Sequence, residues 1–161
     1  EHYLGLLNDK TAPDDILPAA YFGLGNVYMQ QAPAQTNSPF AGFSLALEAF
    51  ARVTQFTNSP LLAASWGRIG DCHLQLGATN TLSYDRALEF YQRVVDAPEG
   101  DVAMRAKARI GMGSVSERLA ALRSGSASAA ALDQALGHYL DVVTGKLLRP
   151  GEVIDPHWWK E

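Results

Sequence analysis

Cysteine is almost absent: Cys72 is the only one in 161 residues. An intrachain disulfide is therefore excluded, and so is a zinc site built on paired C-x-x-C ligands. Basic charge is also scarce, with 13 Lys and Arg against 17 Asp and Glu and a formal net charge of −4. Nucleic-acid footprints need a basic excess gathered on one face, so no nucleic-acid partner is expected. Long apolar runs are missing as well. Arg, Asp, Gln or Gly interrupts each one before the about 18 residues that a membrane span requires, so no span is expected in this segment. The chain contains no H-E-x-x-H, P-loop or G-x-S-x-G, and His2, His73, His138 and His157 are dispersed. Zinc-hydrolase, nucleotide and serine-hydrolase chemistry thus lack their minimum apparatus, and neither a cofactor nor a metal is expected.

What the chain has instead is repetition. The segment ALEAFARV at 46–53 returns 41 residues later as ALEFYQRV at 87–94, and more loosely as ALGHYLDV at 135–142. Apolar residues recur at three- and four-residue spacing in six blocks, at 18–31, 43–57, 60–77, 83–97, 101–123 and 127–145, which predicts an all-α fold. Ser59-Pro60 reads as a helix start, with Ser as cap and Pro in the first turn. Gly77 and Gly145 read as helix stops, and the Ser/Ala/Gly patch at 122–129 as the loop inside the last pair of blocks.

Alternate blocks match each other. YFGLGNVY (21–28), WGRIGDCH (66–73) and KARIGMGS (107–114) align on Leu24-Gly25, Ile69-Gly70 and Ile110-Gly111. A glycine inside a helix costs about 1 kcal/mol relative to alanine, so three in register predict close approach of a neighbouring helix. In the intervening blocks Ala46, Ala87 and Ala135 are followed four residues later by Phe50, Tyr91 and Tyr139, and seven later by Val53, Val94 and Val142. Small, aromatic and β-branched residues on one stripe complement a glycine face. Two helices then pack as a hairpin, and hairpins stack.

These residues resemble the tetratricopeptide repeat family, whose signature runs W-x2-L-G-x2-Y, then A-x3-F. Tyr21-x2-Leu24-Gly25-x2-Tyr28 and Trp66-x2-Ile69-Gly70-x2-His73 match its first half, and Ala46-x3-Phe50, Ala87-x3-Tyr91 and Ala135-x3-Tyr139 its second. The interval from glycine to alanine is 21, 17 and 24 residues in the three copies, longer than the compact family repeat, and Lys107 and Ser114 replace aromatics in the third copy. The resemblance implies a right-handed solenoid of antiparallel helix hairpins over residues 1–161, with repeats at 18–57, 60–97 and 101–145. Residues 2–8 read as the end of a preceding repeat and 155–161 as the start of a following helix, which makes the chain a segment of a longer protein. The turns NSPLLAAS and APEGDVAM resemble those of envelope-associated bacterial members of the family, such as Tol-Pal coordinators and outer-membrane assembly lipoproteins. That points toward the periplasmic side of a bacterial envelope.

The family geometry implies a concave groove lined by the first helix of each pair. Placed relative to each glycine, its residues are Phe22, Asn26, Met29 and Gln30; Asp71, Leu74 and Gln75; and Arg105, Met112, Val115 and Ser116. Such a mixed surface with exposed Met suits a protein or peptide partner. The family's carboxylate clamp needs Lys three before the glycine and Asn one after it; only Asn26 meets either demand, which disfavours an acidic C-terminal tail. Arg68 and Arg109 share a position, with Arg105 one turn before Arg109. They form either a positive ladder beside the groove or a solvated edge of ion pairs, and the second is favoured because surface pairs are common and weak. Asp71-Cys72-His73 offers three ligand types, but neighbours on a helix point about 100° apart and cannot converge on one ion. The expected function is a non-catalytic interaction module. The alternative is a structural spacer or a self-association segment working through Trp158 and Trp159, and an enzyme on a helical scaffold is the least supported reading.

Overall fold

A computed structural model describes residues 16–32 and 39–153. The segments 2–8 and 155–161, including Trp158 and Trp159, lie outside the described residues. The described chain is all-helical: α1 (Leu17–Gln31), α2 (Pro39–Val53), α3 (Leu62–Leu76), α4 (Leu82–Asp96), α5 (Val102–Ala121) and α6 (Gly125–Val143). Pro18 and Pro39 stand in the first turns of α1 and α2, where a missing N–H removes no helix bond. Asp101 caps α5, its carboxylate accepting the N–H of Met104 at 2.7 Å.

Two expected boundaries change. Ser59 does not cap α3; its hydroxyl accepts the N–H of Leu61 at 3.2 Å and its carbonyl that of Leu62 at 3.0 Å, and the helix begins after this turn. The loop expected at 122–129 shrinks to three residues, Leu122 to Ser124, because Gly125 takes φ +59° and starts α6 directly. Gly145 ends its helix in the left-handed region, with φ +70°. Gly77 also ends its helix, as the C-cap of α3, but with φ −58°; it is glycine because a Cβ there would strike the Tyr84 ring.

Consecutive helices pack on one another throughout, and α3 also touches α5. Contacts within pairs run in opposite chain directions. Gly67 lies by Val94, Gly70 by Tyr91 and Gly77 by Tyr84, which makes α3 and α4 antiparallel; Phe50 on Gly25 and Gly42 on Ala32 do the same for α1 and α2. The core sits between pairs as well as within them. Tyr84, Ala87, Tyr91 and Val94 of α4 close on Ala108, Met112 and Val115 of α5, and Ala46 and Phe50 of α2 close on Ile69 and Cys72 of α3.

The ring-on-glycine seats account for the repeated motif. A Cβ on Gly25 would lie 2.6 Å from the Phe50 ring, and one on Gly70 would lie 2.6 Å from the Tyr91 ring. In the third pair the expected register is wrong. Tyr139 sits on Gly113, where a Cβ would approach to 2.5 Å, while Gly111 receives Tyr91 from the preceding pair. The two glycines, one turn-fraction apart, serve different neighbours.

After α6 the chain returns across the α4–α5 corner and is fastened by two arginines. Arg105 is 2% exposed and donates to the carbonyls of Gly100 and Leu147 and to the Glu152 carboxylate. Arg149 donates to the carbonyls of Ala97 at 2.7 Å and Pro98 at 2.8 Å, satisfying acceptors beyond the end of α4. Glu152 also accepts the Arg149 N–H at 2.7 Å, and that bond, ahead of the Arg105 contact, holds its carboxyl below the ordinary range.

Two alanine substitutions on α3 should have opposite effects. Gly70→Ala forces a methyl into the Tyr91 ring and should destabilise by about 1–3 kcal/mol despite its helix-propensity gain. Gly67→Ala, whose new methyl would meet only Val94 at 3.8 Å, should stabilise by up to about 1 kcal/mol. Urea midpoints compare the two directly; equal shifts would remove the ring-on-glycine account.

Candidate functional site

The described cleft lies where α1, α3, α4 and α5 meet. Its volume is about 220 Å³, and its floor is made of Ala63, Ala64 and Gly67 on α3, Val94 on α4 and Ala108 on α5. Small side chains on both first helices leave the gap, which the buried Val94 and Tyr91 line from α4. Phe22, held edge-on to Phe50 with centroids 5.4 Å apart, and Met104 also line it. Arg68, Asp71 and Lys107 bring charge to the rim.

Asp71 is the most constrained of these. Its Oδ1 accepts the Tyr91 hydroxyl at 2.9 Å, and Oδ2 faces Arg68 at 3.5 Å. Burial raises its pKa, while the Tyr91 bond and the Arg68 and Lys107 charges oppose that rise. The Tyr91 phenol is itself pushed up by burial and by the adjacent carboxylate. One hydroxyl thus ties the ring that packs three helices to a side chain on the cleft wall. Tyr139 repeats the bond in the third pair, donating to Glu117 at 2.8 Å beside Ser114.

Of the residues predicted to line a groove, Phe22 and Asp71 line this cleft. Asn26 and Met29 are half-buried, Met29 against the Phe50 core, and Gln30 and Gln75 are exposed. Leu74 packs on the Tyr84–Tyr91 core. Arg105, Met112, Val115 and Ser116 are buried, at 2%, 7%, 0% and 3% exposure, and are not surface groove residues. The cause is the register shift. They were placed from Gly111, but the seat matching Gly25 and Gly70 is Gly113, and two residues turn a helix by about 200°. Counted from Gly113, the matching positions are Ser114, Glu117 and Arg118, of which the last two are exposed.

The cleft residues missed from sequence include Gly67, Ala63, Ala64, Val94, Met104, Lys107 and Ala108. Their signal was the small side chain at Gly67, a second glycine one turn before Gly70 with no ring in the sequence to explain it. The three arginines of the expected ladder each face a carboxylate: Arg68 pairs with Asp71, Arg109 lies 3.9 Å from Asp141, and Arg105 is buried on Glu152. They do not form an open ladder.

The Asp71-Cys72-His73 triplet diverges as helical geometry requires. Cys72 is fully buried, and its thiol is pushed up to about 12, chiefly by burial. A thiol at that value is un-ionised at neutral pH and a poor nucleophile. His73 stacks on Phe90 with centroids 5.8 Å apart, and Arg93 covers Phe90 at 4.8 Å. Among the described residues, no three His, Cys, Asp or Glu side chains gather where they would hold a metal, and no helix is long and apolar enough to cross a membrane.

Burial, with nearby Arg86, lowers the pKa of His73, and burial with Arg109 lowers that of His138. As pH falls below the ordinary value of about 6.5, the unfolded chain takes up these protons first. Stability complete above that pH is therefore lost as pH drops toward the lowered folded values. Asp71, with its raised value, acts in the opposite sense just above the ordinary carboxylate range. The melting midpoint should fall between pH 7 and pH 5, and the double variant His73→Gln, His138→Gln should flatten that slope; an unchanged slope would assign the pH response to other groups.

No protein-family model matches this chain, and neither a curated protein nor a solved structure matches it.

Proposed function

We propose that this chain is a non-catalytic protein-interaction module, a tetratricopeptide-like right-handed solenoid of helix hairpins that binds a peptide or an extended partner segment. The observation that carries this reading is the cleft of about 220 Å³, with an apolar floor and a charged rim, between first helices. Its volume is below the about 300 Å³ at which pockets begin to enclose drug-sized molecules, and it suits one or two side chains of a longer segment. The inert state of Cys72 and the structural engagement of Tyr91 and Asp71 also support a binding role over a catalytic one.

Selection from a displayed library of short random peptides tests this. Peptides enriched on the wild-type chain should lose binding to Gly67→Leu, which fills the floor, and keep it on Gln75→Ala, an exposed position away from the cleft. Peptides indifferent to Gly67→Leu would move the site elsewhere, and a library that yields none would overturn the peptide reading.

A second reading, self-association, has its own observation. Leu132, Leu136, Leu140 and Val143 form a stripe along α6 and are 52%, 56%, 48% and 67% exposed. In the sequence register Leu136 and Val143 match Leu88 and Val95, which on α4 pack against the α4–α5 core. The same face on α6 meets no further described helix. Light scattering over a concentration series should then give a mass above the monomer that Leu136→Glu returns to monomer; a monomer throughout would remove this reading.

A further inference from the structure

We infer that the cleft receives a segment in which an acidic side chain neighbours a large apolar one, the apolar group seated over Gly67 and the carboxylate taken between Arg68 and Lys107. The inference rests on the peptide-binding reading of the cleft and names the chemistry of its ligand.

Gly67 supplies the first argument. Gly25, Gly70 and Gly113 are glycine because a ring occupies the space a Cβ would need. At Gly67 the nearest obstacle is Val94 Cγ2 at 3.8 Å, an ordinary van der Waals contact. The helix thus carries the about 1 kcal/mol cost of an interior glycine without any internal packing that requires it. Gly137 on α6 is open too, but it is exposed, whereas Gly67 lies on the cavity floor. Around it stand Phe22, Val94, Met104 and Ala108, so the vacant volume has apolar walls. An aliphatic or aromatic side chain of a ligand is the group that gains from filling it.

Charge supplies the second. The cleft holds two cations and one carboxylate in a chain whose net charge is −4. The carboxylate of Asp71 is already engaged on one oxygen by Tyr91 and faces Arg68 on the other. Lys107 is exposed and makes no ion pair among the described residues. Arg68 pairs with Asp71 at 3.5 Å with its side chain 46% exposed, a loose surface contact that leaves guanidinium donors for a second acceptor. A basic ligand side chain would meet both cations, and an uncharged one would leave them unused. The acid is assigned to a side chain, since the rim presents two separate cations, Arg68 and Lys107.

The test uses the displayed library and then synthetic peptides with amidated C-termini, read by fluorescence polarisation. Enriched sequences should place Asp or Glu within two positions of Leu, Ile, Met or Phe. Lys107→Glu should weaken them by roughly tenfold, and exchanging the peptide's acid for Lys should restore binding to that variant. Raising salt should weaken the wild-type complex, because the pair is solvent-exposed. Peptides that need an open Gly67 but show no acidic preference and ignore Lys107→Glu would overturn this inference while leaving the peptide site in place. Loss of binding on amidation would also overturn it, by making the chain terminus the recognised group.

Discussion

Tyr91 is the point on which the arrangement depends. Its ring is 1% exposed and lies against Gly70 of α3 on one side and Gly111 of α5 on the other. Neither glycine can gain a Cβ while the ring stays where it is, so α3, α4 and α5 share one fixed distance. The hydroxyl then reaches Asp71, which gives the buried phenol an acceptor and sets the rotation of the ring. α3 and α5 are consequently brought into contact across the ring, and the gap between their small residues becomes the cleft.

The cleft is therefore a by-product of packing chemistry, modified at a few positions. Where a ring needs room, glycine is an internal requirement; where no ring arrives, at Gly67, the same residue leaves room for something else. The corner fastened by Arg105 and Arg149 belongs to this scaffold. It buries a guanidinium under the returning chain, with its donors directed at two carbonyls and Glu152. Removing one partner from a buried, hydrogen-bonded charge is costly, which makes this corner a fixed end for α5.

Much of the fold was legible in the sequence, and particular residues explain why. The three- and four-residue spacing gave six helices, and Phe50 opposite Gly25 and Tyr91 opposite Gly70 followed from matching a bulky residue to an absent side chain. Boundaries were less legible. Ser59 and the 122–129 patch each carry a residue type that serves two purposes, and the local sequence does not say which one is in use. The site was read in part: Phe22 and Asp71 came from register, while Gly67 and Lys107 depend on what the facing helices leave empty.

Helical class and the divergence of Asp71, Cys72 and His73 were determined by the sequence alone, because both follow from periodicity along one helix. The choice of Gly113 over Gly111 for Tyr139, the burial of Arg105, Met112, Val115 and Ser116, and the floor of the cleft were decided only in the tertiary structure. Two glycines separated by a single residue are equivalent candidates within α5. Which of them meets its own partner helix and which meets the preceding one is settled by the rings that arrive from α4 and α6, and that is a matter of packing between distant segments.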